Sequence, residues 1–207
     1  MAKFEELPFD VRPDLSPFLI HLTKNTIKDD KYSAFDNLVN ILKTGEVWGS
    51  TSSKGFIKGA NKAACFMDVP MSSLKYIINA DNSDPDNPRY EPFGVITTKK
   101  RAYSKGCRPV LYLSNEEVEA LGIPNQELWR VVRFEKNGDN WISWMHEREW
   151  RCKGKMKLPK KVLAVFVKNT SHAEKLQKMI NENPDDFKSI PKSIIPVNIM
   201  CEGLPYL

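Results

Sequence analysis

Apolar residues along the chain fall into short runs and spaced stripes, each of which predicts an element. Phe18-Leu19-Ile20-His21-Leu22-Thr23 is an apolar run short enough to be a buried first strand, interrupted by His21. Phe35, Leu38, Val39 and Leu42 then recur at i, i+3, i+4 and i+7, the stripe of an amphipathic helix. Ser33 suits its N-cap, with Asp36 three residues on in a near capping-box arrangement, and Gly45 suits its C-terminal stop. Val47-Trp48-Gly49 reads as a short strand or turn. Residues 49–62, rich in Gly, Ser and Lys, read as a loop, and Ala63 to Pro70 as a second buried strand ended by proline. Met71 to Asn79 predicts a short helix. Asn79 to Pro92, with Asp-Asn-Ser-Asp-Pro-Asp-Asn-Pro at its centre, predicts a polar loop.

Beyond that loop, Phe93 to Thr98 and Pro109 to Leu113 have the β-branched and apolar content of strands, with a helical turn over Lys99 to Ser104 between them. Asn115 to Leu121 predicts a short helix, while Leu128 to Glu135 fits either strand or helix. Asn137-Gly138-Asp139 marks a turn. The segment Trp144 to Arg151 then predicts a strand central to function. Val162 to Val167 is a further buried strand. Ser171 with Glu174 predicts the cap of a helix carrying Leu176, Met179 and Ile180 and closed by Pro184, and Ile194 to Ile199 is the last strand. Regular βαβ alternation, a glycine-rich nucleotide loop and internal repeats are not visible in this order. The pattern predicts residues 1–17 as a lead-in and 18–207 as one α+β domain with a mixed or antiparallel sheet, open to division into two halves and flanked by helices.

Composition narrows the class. At 207 residues, 41% apolar and 28% charged, the chain is long enough for a sizeable core and ordinary for a globular protein. No apolar stretch approaches the roughly 20 residues that span a bilayer, and Met-Ala-Lys-Phe-Glu-Glu lacks the plan of a secretory signal, so a cytoplasmic protein is expected. Cys65, Cys107, Cys152 and Cys201 lie far apart, without metal-ligand spacing; their even number leaves disulfides open, and buried free thiols are the reading adopted.

The net charge of +5 is unevenly spread. Residues 1–50 carry 6 Lys/Arg against 8 Asp/Glu, and residues 151–207 carry 11 against 5. Lys99 to Arg108 holds five basic residues with no acid, and Arg151 to Lys161 holds six. Such clusters serve either as a solvated basic face or as a phosphate-attracting surface.

Three groups of residues carry candidate chemistry. On a strand, Glu147, Glu149 and Arg151 would share one face, with His146, Arg148, Trp150 and Cys152 on the other. That acidic face lines a polar cleft or forms an edge with cross-strand Glu–Arg pairs. His21 is either a hydrogen-bonded core histidine or a hydrogen-bond donor to a ligand at the strand's end, with Thr23 on the same face offering a hydroxyl. Arg89, Tyr90, Arg108 and Tyr112 combine guanidinium forks suited to phosphate with rings that stack on flat groups. A Ser-His-Asp order, an H-E-x-x-H helix and a Walker loop are not found, and no metal site is expected.

The ordered motifs HLT (21–23), NILKTGEVWGS (40–50), CFMDVP (65–70), RYEPFGVITTK (89–99), GCRPVLYLS (106–114) and HEREWR (146–151) resemble abortive-infection proteins of the AbiGi type and their bacterial relatives. The resemblance covers roughly residues 18 to 152, and EREWR and CFMDVP are its most specific parts. More distantly, a first-strand His, a helix ending in Gly and a late strand with Glu are similar to ADP-ribosyltransferases, including DarT-like toxins that modify DNA.

The second resemblance implies an ADP-ribosyltransferase-like fold with NAD as substrate. His21 would hold NAD's ribose, and Glu149 would contact the nicotinamide ribose with Glu147 completing an E-x-E pair. Phe66, Tyr90 or Tyr103 would stack on nicotinamide. Cleavage of the nicotinamide bond passes through an oxocarbenium-like state that a carboxylate stabilises, and a second carboxylate orients or deprotonates the acceptor. The basic segments suit a nucleic-acid acceptor, with protein the other choice. The resemblance implies an effector in phage defence or a toxin system, with an antitoxin as a potential partner. Two other readings stand beside it: a non-catalytic binding module such as an antitoxin or sensor partner, and an RNA-processing enzyme of nuclease or 2′-phosphotransferase type.

Overall fold

Asp36 N–H donates to the Ser33 hydroxyl at 3.1 Å, and Ser33 N–H donates to Asp36 Oδ2 at 3.0 Å, so two otherwise orphaned amides are satisfied where the helix Ala34–Thr44 begins. Gly45 ends it at φ 68°, a left-handed conformation that a β-carbon disfavours. Both signals are local, and both are where the sequence places them. The computed structural model describes residues 3–26, 31–50, 57–79, 82–83 and 88–201. Residues 51–56 of the loop expected over 49–62 lie outside the described residues, as does most of the middle of the one expected over 79–92.

The main sheet runs in the order Ile194–Pro196, Ala164–Val167, Gly94–Thr98, Phe18–Leu22, Ala63–Met67, Glu149–Lys153, Arg108–Pro109. All neighbours are antiparallel except the first two strands of that order, which are parallel. The fold is α+β with a mixed sheet, as the sequence predicts.

Both faces of the sheet are covered. Leu19, Val95, Phe66 and Cys152 pack on one side with Leu38 and Leu42 of the Ala34–Thr44 helix and Leu176 and Ile180 of the Thr170–Glu182 helix. Ile20, Ile96, Met67 and Phe166 pack on the other with Leu74, Ile78, Val197 and Cys201. Two buried faces explain why the strands read as apolar runs rather than as alternating patterns.

Several boundaries differ from expectation. The segment predicted as one strand from Pro109 to Leu113 divides at Val110, whose N–H donates to the Glu149 carbonyl at 3.0 Å. Arg108–Pro109 closes the main sheet, while Leu111–Leu113 pairs in parallel with Val131–Arg133. The last helix is capped by Asn169, which accepts the His172 N–H, and not by Ser171. Ile194–Pro196 gives way to a 3-10 turn at Val197–Ile199. All four cysteines are free thiols.

The largest correction concerns Trp144 to Arg151. Met145–Glu147 is a 3-10 turn, Arg148 sits at φ 45°, and the strand starts at Glu149. Alternation holds only from there: Glu149 and Arg151 share one face, while Trp150 and Cys152 join the core on the other.

Candidate functional site

The strands Phe18–Leu22 and Gly94–Thr98 pair over five positions, and Ala63–Met67 and Glu149–Lys153 over five more. Between these two pairs the sheet nearly comes apart: Phe18–Leu22 and Ala63–Met67 meet in register at Ile20–Met67 alone. Past that point the Cys65 carbonyl accepts a hydrogen bond from His21 Nδ1 at 2.8 Å, a side-chain bond where an unbroken ladder carries backbone ones.

A cavity of about 850 Å³ occupies the split. Its volume falls within the roughly 300–1,000 Å³ usual for small-molecule sites. His21, Thr23, Asn37, Asn40, Tyr32 and Trp48 line one part of it, and Cys65, Arg89, Tyr90, Glu147 and Glu149 another. Strand register places His21 on the face of Val95, and Glu149 on the face of Met67 and Ile20. The two side chains therefore leave opposite faces of the sheet and reach one cavity through the gap between its halves.

His21 is partly buried, and its Nδ1 must carry the proton because a carbonyl oxygen can only accept. Burial lowers its pKa below the ordinary histidine value, against the opposing effect of the Cys65 carbonyl. The ring is thus neutral near pH 7, and its one N–H is spent on Cys65. Nε2 is its remaining acceptor, so His21 offers the cavity an acceptor and not the donor the sequence predicts. Thr23 donates its hydroxyl to the Ala34 carbonyl at 2.8 Å, so the hydroxyl it offers the cavity is an acceptor.

Glu149 is 8% exposed. Both its oxygens are taken by Arg151, Oε1 from Nε at 2.8 Å and Oε2 from Nη2 at 3.0 Å. Arg151 is 2% exposed, and its Nη1 donates to the carbonyls of Trp129 and Val131. This is a bidentate pair whose remaining donors are satisfied, the condition under which buried charges are tolerated. The Cys65 thiol beside it is pushed well up, first by burial and then by the Glu149 charge, so it stands protonated.

Glu147 reaches the cavity from the turn. Its Oε1 accepts from Tyr90 Oη and, at 3.1 Å, from Arg89 Nη2. Burial and the Glu147 carboxylate raise the Tyr90 pKa, keeping the phenol protonated as a donor. The Arg89 guanidinium lies 4.3 Å from the Trp144 ring centroid and 5.3 Å from that of Tyr90.

Of the expected contacts, Phe66 lines the cavity from within the core, and Arg108 is not brought to it. Phe66 is 1% exposed and packed in the core, its ring 5.6 Å from the His21 ring, so it supports the histidine and offers no free stacking face. Arg108 lies at the sheet edge, donating to the Tyr103 and Cys107 carbonyls with its guanidinium 3.7 Å from the Tyr103 ring centroid; neither residue lines the cavity. The exposed aromatics that do line it, Trp48 and Tyr32, escape the sequence reading. Trp48 is 57% exposed one residue after the fully buried Val47, and the signal for it in the sequence is a large aromatic ending a short predicted strand beside Gly49. Gly49 continues this wall, and a β-carbon there would collide with the Gly154 carbonyl oxygen and the backbone of Ala63.

The two acid-free segments converge. Arg108 pairs in register with Arg151, and the Cys107 Sγ lies 3.4 Å from Met156 Sδ. Lys155 and Lys157 in turn pair in register with Trp48 and Glu46, so the basic strand reaches the cavity wall. Among the described residues, no group of three or more His, Cys, Asp or Glu is placed to hold a metal ion, and no helix is long and apolar enough to cross a membrane.

No protein-family model and no curated protein matches the chain. Among solved structures it is similar to Thermus sp. 2.9 DarT in complex with NAD+, at 14% identity and a TM-score of 0.48 over 91% of this chain and 97% of that one. It is similar also to the same protein in complex with carba-NAD+, at 12% identity and a TM-score of 0.48 over 89% and 97%. The complex with ADP-ribosylated ssDNA gives 14% identity and a TM-score of 0.49 over 89% and 95%.

Proposed function

We propose that this cavity binds NAD and transfers its ADP-ribose group to an acceptor. The observation that carries the reading is the split sheet, which sets a neutral histidine and a pair of carboxylates around one cavity of small-molecule size. In this reading His21 Nε2 accepts a ribose hydroxyl, and Tyr90, Trp48 or Tyr32 supplies a stacking face. The bond between ribose C1′ and the nicotinamide nitrogen breaks, nicotinamide leaves with the bonding electrons, and Glu149 faces the developing positive charge in a fixed orientation. The acceptor nucleophile then bonds to C1′ while Glu147 takes its proton.

For the acceptor we propose a nucleic acid. The support is the basic strand Lys155–Lys157 in register with Trp48, which joins the cavity wall to the Lys99–Arg108 segment. Lys155 is itself paired with Glu46 at 2.6 Å and Lys99 with Asp68, so the rest of this basic run beside exposed rings is what suits phosphates and stacked bases. The biological setting proposed with it, an effector in phage defence or a toxin system, rests on the resemblance of the ordered motifs.

Purified protein incubated with NAD labelled in its adenylate moiety, together with single-stranded nucleic acid or cell extract, should yield labelled acceptor and free nicotinamide. Absence of transfer, of NAD hydrolysis and of NAD binding would overturn the proposal. A second reading, a binding module without turnover, is favoured by the Arg151 guanidinium that offsets the Glu149 charge. Under that reading Glu149→Gln protein shown to be folded by its unfolding transition keeps the biological effect, whereas the enzyme reading has it lost.

A further inference from the structure

Arg148, the residue between the two carboxylates, is non-glycine at φ 45° and ψ 50°, a conformation that has to be held by its surroundings. Its carbonyl accepts the Asp68 N–H at 3.2 Å. That bond lies one step beyond the Glu149–Met67 register pair, so Asp68 and Arg148 close the ladder where both chains leave the sheet. The guanidinium is held as well: Nη1 donates to the Asp14 carbonyl, and Nη2 lies 3.7 Å from Asp68 Oδ1.

Asp68 is itself buried at 7% exposure. Its Oδ2 pairs with Lys99 Nζ at 2.8 Å, whereas Oδ1 has no hydrogen-bond partner among the described residues. The cation facing that bare oxygen is Arg148. Lys99 is tied in turn to the lead-in, since its N–H donates to the Pro17 carbonyl at 2.8 Å and its ammonium lies 5.6 Å from the Phe9 ring centroid. One buried carboxylate therefore joins the acidic turn, the start of the Lys99–Ser104 helix and the N-terminal segment.

We propose that Asp68 is a positioning residue of this site, acting through Arg148 to fix the turn that presents Glu147 beside Glu149. Asp68 does not line the cavity, so its effect on the site passes through the backbone of residues 145–149. The kinetic consequence rests on the NAD reading above; the conformational one does not.

The test compares wild type, Asp68→Asn, which removes the charge at constant size, and Arg148→Gly, which keeps the left-handed turn accessible but removes the guanidinium. Amide hydrogen exchange of residues 144–149 should rise about tenfold in both variants, while the Thr170–Glu182 helix exchanges as in wild type. On NAD, kcat should fall about tenfold with KM changed less than twofold. Unchanged exchange over 144–149 in either folded variant, or a rise spread evenly over the chain, overturns the proposal. If Asp68→Asn does not fold, Arg148→Gly decides alone. A wild-type protein that neither binds nor consumes NAD sinks the NAD reading, and the exchange measurement still decides the role of Asp68.

Discussion

Arg151 grips both carboxylate oxygens of Glu149, at 2.8 and 3.0 Å, in a pair almost wholly closed to water. The two residues stand two apart on one strand, and the pair does two jobs. It keeps the Glu149 carboxylate in one orientation at the cavity wall, and it makes that carboxylate part of what holds the strand in place.

Glu149→Ala should therefore cost stability as well as function. It leaves the Arg151 charge buried without its partner, a change worth about 3–5 kcal/mol. Glu147→Gln keeps an acceptor for Tyr90 and should cost below about 1 kcal/mol, while lowering kcat for NAD turnover by about 10²-fold or more. Urea unfolding of the two variants beside steady-state kinetics separates the roles. Equal stability losses would contradict the assignment.

Trp48→Ala tests the aromatic wall. The side chain is mostly solvent-exposed at the cavity, so stability should change by no more than about 0.5 kcal/mol. The Kd for NAD, read by isothermal titration, should rise about tenfold, as expected for loss of roughly 1–3 kcal/mol of stacking. An unchanged Kd would remove Trp48 from the site and leave Tyr32 or Tyr90 to stack.

His21 gives a pH dependence of definite sign. Its folded-state pKa lies below the unfolded value of about 6.5, so the unfolded chain binds the proton more readily. The stabilisation from the neutral ring is complete above about pH 6.5 and is lost as pH falls from there through the folded-state value. Burial also lowers the His172 pKa, and comparison with His21→Gln cancels that contribution. Wild type should lose more unfolding free energy than His21→Gln between pH 7.5 and pH 5. Parallel curves would show that His21 titrates as it does in the unfolded chain.

Gly49→Ala should close the cavity rather than merely stiffen it. The added methyl meets backbone on both sides, the Gly154 carbonyl and Ala63, and neither can yield like a flexible side chain. The wall carrying Trp48 must move, so NAD binding should weaken at least tenfold and the melting temperature should drop by several degrees. Retained affinity would show that the Glu46–Trp48 strand adjusts without cost.

What was legible in the sequence was mostly what is local. Ser33, Asp36 and Gly45 mark their helix because caps are made within four residues. That Glu149 and Arg151 share a face follows from strand periodicity; that they pair with each other is shown by the structure. The turn before Glu149 could not be read that way, because its partners, Asp14 and Asp68, lie 134 and 80 positions earlier in the chain. Phe66 meets the cavity as core material, because a strand covered on both faces buries its aromatics. Trp48 is not marked as a wall residue by its own segment, because the strand it ends is completed only by Lys155–Lys157, far along the chain.

The near-separation of the sheet at Ile20–Met67 has a mechanical consequence. The half containing Phe18–Leu22 bears His21, and the half containing Ala63–Met67 and Glu149–Lys153 bears Glu149 and much of the opposing wall. Any ligand touching both walls is a crosslink between two half-sheets that share one ladder step. Its binding free energy adds to their cohesion, growing with ligand concentration as mass action requires.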